Sequence, residues 1–353
     1  MATRKRPTAS NQDDLFNPEV ELLLPARLAI DGKVLGSPVR QLAVPARRVR
    51  CRLRPFAVRR VNGYETTLEN GEILKIISAK TATSLEADLV LLVPGATEPE
   101  RIAEALELGE GRWTNAPPTS VDTLDRSARA ERLKAVSASW LDAIHLREGR
   151  AAVNGQAAQP GLRRPQIGAL HAALAHATRS TDPATIVMPT GTGKTETMLA
   201  LNANQRFERL LVVVPTDALR EQIASKFETF GVLKQQKCLD ETAAFPLVMR
   251  LSHIPTSQAE VDEIFDSANV IVTTMQIAGR AEAPVQERMA ARASALFIDE
   301  AHHIGARTWK SFRGLFVEHE PPIPVIQFTA TPFREDGGRV DGEFIYTYPL
   351  KKA

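Results

Sequence analysis

Lys194, Asp299 and Glu300 are the residues whose types and surroundings suit phosphate chemistry. Lys194 closes the segment Met188-Pro189-Thr190-Gly191-Thr192-Gly193-Lys194-Thr195, which follows an apolar run and precedes a helical pattern. Gly191 and Gly193 let the backbone curl, so that the N–H groups of Thr190 to Lys194 converge on an anion. The helix N-terminus after Gly193 adds partial positive charge. A lysine at this place reaches terminal phosphates, and the Thr195 hydroxyl suits Mg²⁺. The strict phosphate-loop pattern has Gly where Met188 stands. Spacing alone therefore leaves a Gly-rich turn with an incidental lysine as the alternative.

The run Ala295-Leu296-Phe297-Ile298 ends in Asp299-Glu300-Ala301-His302-His303. In a parallel sheet, ligands gather at the carboxyl ends of strands. Asp299 is thus expected beside the phosphate loop, holding Mg²⁺ through water, with Glu300 orienting or deprotonating an attacking water. A pair of solvated acids at a strand end is the plainer alternative. His302 and His303 point in different directions and no third or fourth ligand is evident, which argues against a metal site built on them.

These groups need a scaffold. Thr185–Met188, Leu210–Val214, Val270–Thr273, Ala295–Ile298 and Val325–Phe328 read as short buried strands. Helical stretches such as Thr195–Leu201 and Asp217–Phe230 lie between them, which predicts an α/β fold with a parallel sheet covered on both faces. Residues 147–161 are small, polar and Gly-containing, and read as a linker before this domain at 162–353. Residues 1–18 read as a disordered polar tail, and 19–146 as a small α+β domain of unknown role. Within it, Asn62-Gly63 and Asn70-Gly71 signal hairpin turns. Helices are expected over Glu98–Leu108 and over about Val121–Leu146, where Leu133, Val136, Trp140 and Ile144 keep spacings of three and four.

From Gly32 to Tyr64 the chain has no acidic residue, but Lys33 and eight arginines. Arg48, Arg50, Arg52 and Arg54 alternate with Val49, Cys51 and Leu53, which on a strand puts the arginines on one face. Two readings fit. Either this face contacts nucleic-acid phosphates without reading sequence, or it is solvated or paired with acids elsewhere.

Across 353 residues, 43% are hydrophobic and 24% charged. Such a balance excludes wholesale disorder and a membrane bundle. No apolar run approaches the ~18–20 residues of a bilayer span. Two distant cysteines exclude a Cys-based zinc site built by this chain alone. The basic N-terminus lacks an apolar segment, so no secretory signal is expected and the cytoplasm is the default compartment.

Taken together the motifs resemble a superfamily 2 DEAH-type helicase or translocase. Met188–Thr195 resembles motif I, and Asp299-Glu300-Ala301-His302 the DEAH form of motif II. The resemblance implies a RecA-like fold over about 160–353, with ATP and Mg²⁺ as cofactors. Leu162-Arg163-Arg164-Pro165-Gln166 resembles the element whose glutamine reads adenine, although Gln166 also fits a surface position on an amphipathic helix with Ile167, Leu170 and Leu174. Pro215, Thr216 and Gln222 match motif Ia, and Thr273, Thr274 and Gln276 the next segment contacting nucleic acid. Thr216 also suits a plain helix N-cap. Thr329-Ala330-Thr331-Pro332 resembles motif III, so Thr329 and Thr331, with His302, are implied in coupling hydrolysis to strand movement. The extension Phe333-Arg334 and the DEAHH form are similar to helicase subunits of type I and type III restriction enzymes.

Motors of this superfamily hold ATP between two RecA-like domains, the second supplying arginines. Pro332 lies 21 residues before Ala353, and no Q-x-x-G-R-x-x-R motif follows. The chain is therefore expected to carry the ATP-binding half alone, with the second half in cis or trans. On its own it is expected to hydrolyse ATP slowly and unwind nothing. DNA is the expected partner ahead of RNA, and no membrane is expected. A nucleotide-dependent binding module without turnover is the competing function. A ring-forming P-loop ATPase is a third, opposed by the DEAH, Pro-Thr-x-x-Leu-x-x-Gln and Thr-Ala-Thr-Pro segments.

Overall fold

The computed structural model describes residues 19–152, 158–303, 306–334 and 337–349. The expected tail at 1–18 lies outside them. The chain opens with strands β1 (Glu19–Leu24), β2 (Arg27–Val34), β3 (Ser37–Val44), β4 (Arg47–Arg52), β5 (Arg54–Val58), β6 (Val61–Thr67), β7 (Ile73–Ile77) and β8 (Leu89–Leu92). Helix α1 (Pro99–Glu107), the short strands β9 (Arg112–Trp113) and β10 (Thr119–Ser120), α2 (Arg126–Ala138) and α3 (Arg164–Ala177) follow. An alternating stretch comes next: β11 (Ala184–Val187), α4 (Lys194–Gln205), β12 (Leu210–Val214), α5 (Asp217–Thr229), β13 (Val248–Arg250), α6 (Gln258–Phe265) and β14 (Val270–Thr274). Helices α7 (Met275–Arg280) and α8 (Ala283–Arg292), β15 (Ala295–Ile298), α9 (Ala306–Val317), β16 (Val325–Thr329) and β17 (Glu343–Thr347) complete the chain.

Among the described residues two compact units result: one holds 19–28 and 43–118, the other 29–42 and 119–349. This division departs from the expected boundary at 147–161. Strand β3 pairs antiparallel with β13, Val248 opposite Arg40, and so the β2–β3 hairpin joins the larger unit. Its turn is Leu35-Gly36, both at positive φ (49° and 83°), a turn the sequence reading missed.

The larger unit is built on one sheet of order β10-β2-β3-β13-β14-β12-β15-β16-β11-β17. From β13 to β17 all neighbours are parallel. That pattern follows from composition: β12 (LLVVV), β14 (VIVTT) and β15 (ALFI) are buried at every position, as strands covered on both faces must be. The strand carrying the phosphate loop, β11, is separated from the acidic strand β15 by β16 alone.

The smaller unit pairs β1 with β4 and forms a second sheet of order β5-β6-β7-β8-β9. Leu22, Leu53, Leu74, Leu91 and Ile102 pack together in its core. The Arg48–Arg54 alternation holds: the four arginines are exposed, Cys51 and Leu53 buried, and Val49 half-buried.

Three expectations are corrected. Asn62-Gly63 is not a turn; both residues lie inside β6, and the hairpin reverses at Arg59-Arg60, both at positive φ (45° and 72°). Gly63 serves close strand approach, since a Cβ there would sit 2.1 Å from the Ile76 carbonyl oxygen. Next, the 121–146 pattern is only partly helical. Asp125 caps α2 by accepting from Ala128 N–H at 2.8 Å, and the helix ends at Ala138. Trp140 stays buried beyond the helix because its indole N–H reaches the Ala244 carbonyl at 2.8 Å. Lastly, 147–152 and 158–161, the described parts of the expected linker, are tied down. Gly149 N–H donates to Leu162 O (2.8 Å), and Arg150 and Gln159 exchange both backbone bonds (2.9 Å each).

Candidate active site

The phosphate loop leaves β11 tied to the sheet, with Met188 N–H donating to Thr329 O at 2.9 Å. Thr192 folds back on Pro189 O through its N–H (3.2 Å) and its hydroxyl (2.6 Å). Gly191 and Gly193 take φ of 80° and 94°. L side chains resist such values. A Cβ on Gly193 would also lie 2.0 Å from Gln166 Nε2. Lys194 opens α4 and is buried, while Thr190 is exposed and Thr195 half-buried at the loop's mouth.

Gln166 faces inward on α3, where the buried side runs through Gln166, Ala169, Leu170 and Ala173. Its Oε1 accepts from Arg163 N–H at 2.7 Å, which fixes the orientation of the amide. Arg163 donates from Nη1 to Gly191 O at 2.9 Å, bracing the loop from outside.

Across the sheet, Asp299 N–H donates to Val213 O (2.9 Å), and its Oδ1 accepts from Glu300 N–H (3.0 Å). Glu300 adopts a φ of 49°. Strained backbone of this kind clusters at functional sites. Its Oε1 lies 2.9 Å from Lys194 Nζ, joining residues far apart in the chain. Burial, then the neighbouring Glu300 charge, pushes the Asp299 carboxyl up to about 6, with Lys194 pulling it back. His302 Nδ1 lies 3.0 Å from Thr329 Oγ1 and 3.4 Å from Glu300 Oε2. The Thr329 hydroxyl donates its proton to Thr331 O at 2.8 Å. It therefore accepts from His302, whose Nδ1 carries the proton. Lys194 thus pairs with Glu300, and His302, Thr329 and Thr331 form a hydrogen-bonded chain whose imidazole lies 3.4 Å from Glu300 Oε2.

A cavity of about 990 Å³ opens over these groups, lined by Gly191, Lys194, Thr195, Gln166, Asp299 and Glu300 among others. Gln222 also lines it. Pro215 and Thr216 sit at the carboxyl end of β12, Thr216 capping α5 by accepting from Leu219 N–H at 3.3 Å. Thr273 and Thr274 are buried, the Thr273 hydroxyl reaching Leu251 O at 3.4 Å, whereas Gln276 is exposed. In the smaller unit Arg48 grips Glu107 with both guanidinium nitrogens, and Arg48 and Arg50 lie 3.5 and 3.4 Å from Glu21. Arg52 and Arg54 also make contacts within the protein.

Arg163, Arg150 and Gln159 also line the cavity; sequence reasoning quoted Arg163 only as part of its motif and did not single out the other two. Gly149 and Gly161 bracketing the supposed linker were the only signal for the last two.

Magnesium binds through one or two carboxylates and keeps several waters. The buried Asp299 carboxyl and the Thr195 hydroxyl at the helix start suit that, and among the described residues no cluster of three or more His, Cys, Asp or Glu competes for a metal. Among the described residues no helix is long and apolar enough to cross a membrane.

A phosphate loop and an acidic strand end at the carboxyl edge of a parallel, RecA-like sheet define a P-loop nucleotide-binding domain. Residues 159–334 match the family of the type III restriction enzyme, res subunit, and in that region the chain belongs to this family of superfamily 2 helicase domains. Such domains generally bind ATP and Mg²⁺. No curated protein matches the chain. Among solved structures it is similar to a nuclease-deletion mutant of the type ISP restriction-modification enzyme LlaGI in complex with a DNA substrate mimic, at 16% identity over 54% of this chain and 20% of that one, TM-score 0.31. The helicase domain of Pyrococcus furiosus Hef gives 24% identity over 48% and 34%, TM-score 0.32. The ATP-dependent type ISP enzyme LlaBIII bound to DNA gives 18% over 78% and 19%, TM-score 0.33. The chain therefore spans about a fifth to a third of the length of these proteins.

Proposed function

We propose that the chain carries the ATP-binding half of a nucleic-acid-dependent ATPase of the DEAH type, acting on DNA. The observation that carries this reading is the Lys194–Glu300 ion pair at 2.9 Å beside the buried Asp299. Lys194 occupies the place where it would bind terminal phosphates. Once phosphate draws it away, Glu300 is released to act as a base. Glu300 Oε2, buried without a hydrogen-bond partner among the described residues, suits an attacking water. Thr195 and Asp299 would hold Mg²⁺, which neutralises charge developing on the transferring phosphoryl group. Thr190, Gly191, Thr192 and Gly193 would offer backbone N–H groups to the phosphates, and Gln166 would meet the adenine.

The His302–Thr329–Thr331 chain supports a coupling role, because a shift of the Glu300 carboxylate changes the charge 3.4 Å from the imidazole that holds Thr329. Full turnover would draw arginines from a second RecA-like domain, in cis or trans. DNA is favoured over RNA because the matched family is one of restriction-enzyme subunits. Pro215, Thr216, Gln222, Thr273, Thr274 and Gln276 would form the strand-contacting rim. Arg48, Arg50, Arg52 and Arg54 would add sequence-independent phosphate contacts.

The test is ATP hydrolysis with and without DNA, using the chain joined to whatever second domain completes it. DNA-stimulated turnover that Glu300→Gln abolishes while ATP binding persists is the expected result. Turnover indifferent to DNA, or unchanged by Glu300→Gln, would refute the reading.

A further inference from the structure

The β5–β6 hairpin overhangs the sheet of the smaller unit. Strands β5 and β6 pair from Arg54 opposite Glu65 to Val58 opposite Val61, whereas β6 pairs with β7 only from Gly63 opposite Ile77 to Thr67 opposite Ile73. Ala57 with Asn62, and Val58 with Val61, therefore lie beyond the last rung that β7 supplies. At the rise of an antiparallel strand, the two-stranded ribbon extends about 7 Å past its neighbour before it turns. Strand β5 is also the outer strand of this sheet, and all its residues but Phe56 are exposed.

Arg59 and Arg60 make the turn at the end of this ribbon, at φ of 45° and 72°. Left-handed backbone is disfavoured for arginine, and two-residue hairpin turns prefer Asn-Gly. Strained backbone of this kind is retained where the side chains are in use. Both arginines are exposed, and neither makes an ion pair or a side-chain hydrogen bond with another described residue. The arginines before them differ. Arg48 and Arg50 are held by Glu107 and Glu21, and Arg52 and Arg54 also make contacts within the protein. The nearest acids along the chain are Asp31 and Glu65, which already face Arg40 at 3.0 Å and Lys75 at 3.6 Å.

We infer that the β5–β6 ribbon is a contact for duplex DNA and that Arg59 and Arg60 at its tip grip the phosphates. This rests on the nucleic-acid reading of the chain, and it lies outside residues 159–334, which match the helicase family. A guanidinium fork fits phosphate oxygens with two parallel hydrogen bonds. A two-stranded ribbon is narrow enough to enter the major groove, about 12 Å wide, where arginines at its tip reach the phosphates of either rim. Duplex is favoured over single strand because both rings of the hairpin are engaged. Phe56 lies under the Lys75 ammonium, 5.0 Å from ring centroid to nitrogen, and the Tyr64 hydroxyl donates to Thr97 O at 3.2 Å. Single-strand binders leave such rings free for bases to stack on.

The test titrates the full chain, without nucleotide, with a short mixed-sequence duplex, with one of its strands and with poly-L-glutamate, at several salt concentrations. Arg59→Gln combined with Arg60→Gln is expected to lower the slope of log affinity against log salt by about 2 for the duplex. Two lost phosphate contacts then weaken duplex binding by up to about 60-fold at about 0.1 M salt. Single-strand binding should change little. Arg59→Asn combined with Arg60→Gly, which relaxes the turn, should lose duplex binding equally while melting no lower than the unaltered chain, and so separates contact from fold. Unchanged duplex affinity and slope in both variants would overturn the inference while leaving DNA binding by the rest of the chain intact. Equal losses on duplex and single strand would overturn the assignment to duplex. Lost binding of poly-L-glutamate with duplex binding unchanged would give the tip to an acidic protein and overturn the inference too. Failure of the unaltered chain to bind either DNA would remove the nucleic-acid reading itself and the inference with it.

Discussion

Replacing Asp299 by Asn should stabilise the nucleotide-free protein, by an amount that depends on pH. The Asp299 carboxyl is 4% exposed, and its pKa rises from 3.8 to about 6. A rise of that size corresponds to about 3 kcal/mol. The sign follows from proton linkage. Between pH 3.8 and about 6 the folded protein keeps a proton that the unfolded chain has released, so stability falls as pH rises through that window. Above it the whole penalty of a buried carboxylate is present; at pH 5 about half of it is. Asparagine keeps an acceptor for the Glu300 N–H and is uncharged like the protonated carboxyl, and the Lys194 attraction is already contained in the shift, so the gain is about 3 kcal/mol. That is worth roughly 6–12 °C in melting temperature for a unit of this size. Urea unfolding with a chelator and no nucleotide, at pH 5 and pH 7.5, reads the difference directly. The variant should exceed the unaltered protein by about 1 kcal/mol more at pH 7.5 than at pH 5. Mg²⁺ and ATP should then raise the midpoint of the unaltered protein and not that of the variant. A gap that is identical at both pH values, or a variant less stable at pH 7.5, would refute the buried-charge argument.

Gly193 combines a φ of 94° with a close approach to Gln166. Gly193→Ala should therefore destabilise the larger unit by about 1–3 kcal/mol. Adding Gln166→Ala should recover only part of that loss in thermal melts, since the backbone strain remains; full recovery would show that φ costs nothing here. Arg59 and Arg60 both hold the left-handed conformation at the β5–β6 turn. Asparagine and glycine accept that conformation more readily, so Arg59→Asn combined with Arg60→Gly should stabilise the hairpin by about 1 kcal/mol or somewhat more. Denaturant titration would reveal a loss instead if the arginines hold the turn through contacts of their own. Replacing Arg48, Arg50, Arg52 and Arg54 by Gln should flatten the salt dependence of DNA binding. Binding that keeps its slope would assign those arginines wholly to partners within the protein, Glu21 and Glu107 among them.

Local chemistry was legible wherever a local rule acts. The phosphate loop needs Gly191 and Gly193 next to Lys194, and a buried parallel strand needs unbroken apolar runs such as Leu210–Val214, so both stood out in the sequence. The Arg48–Arg54 alternation likewise forecast an exposed face, because a strand has period two. Glycine and spacing signals were ambiguous where distant partners decide the outcome. Gly63 yields to the Ile76 carbonyl rather than to a turn, and the 121–146 periodicity outlasts the helix because Trp140 is anchored by Ala244.

By itself the sequence determined the family class and five of the parallel strands, and it singled out Lys194, Asp299 and Glu300 as candidates; the parallel strands β13 and β17 were not read from it. Tertiary structure alone decided that Lys194 meets Glu300, that the β2–β3 hairpin joins the larger sheet and that Gly149 and Gly161 cross backbone to backbone. The reason is physical: motifs are written in neighbouring residues, whereas sheet-edge hydrogen bonds, ion pairs and backbone crossings join groups that the chain keeps far apart.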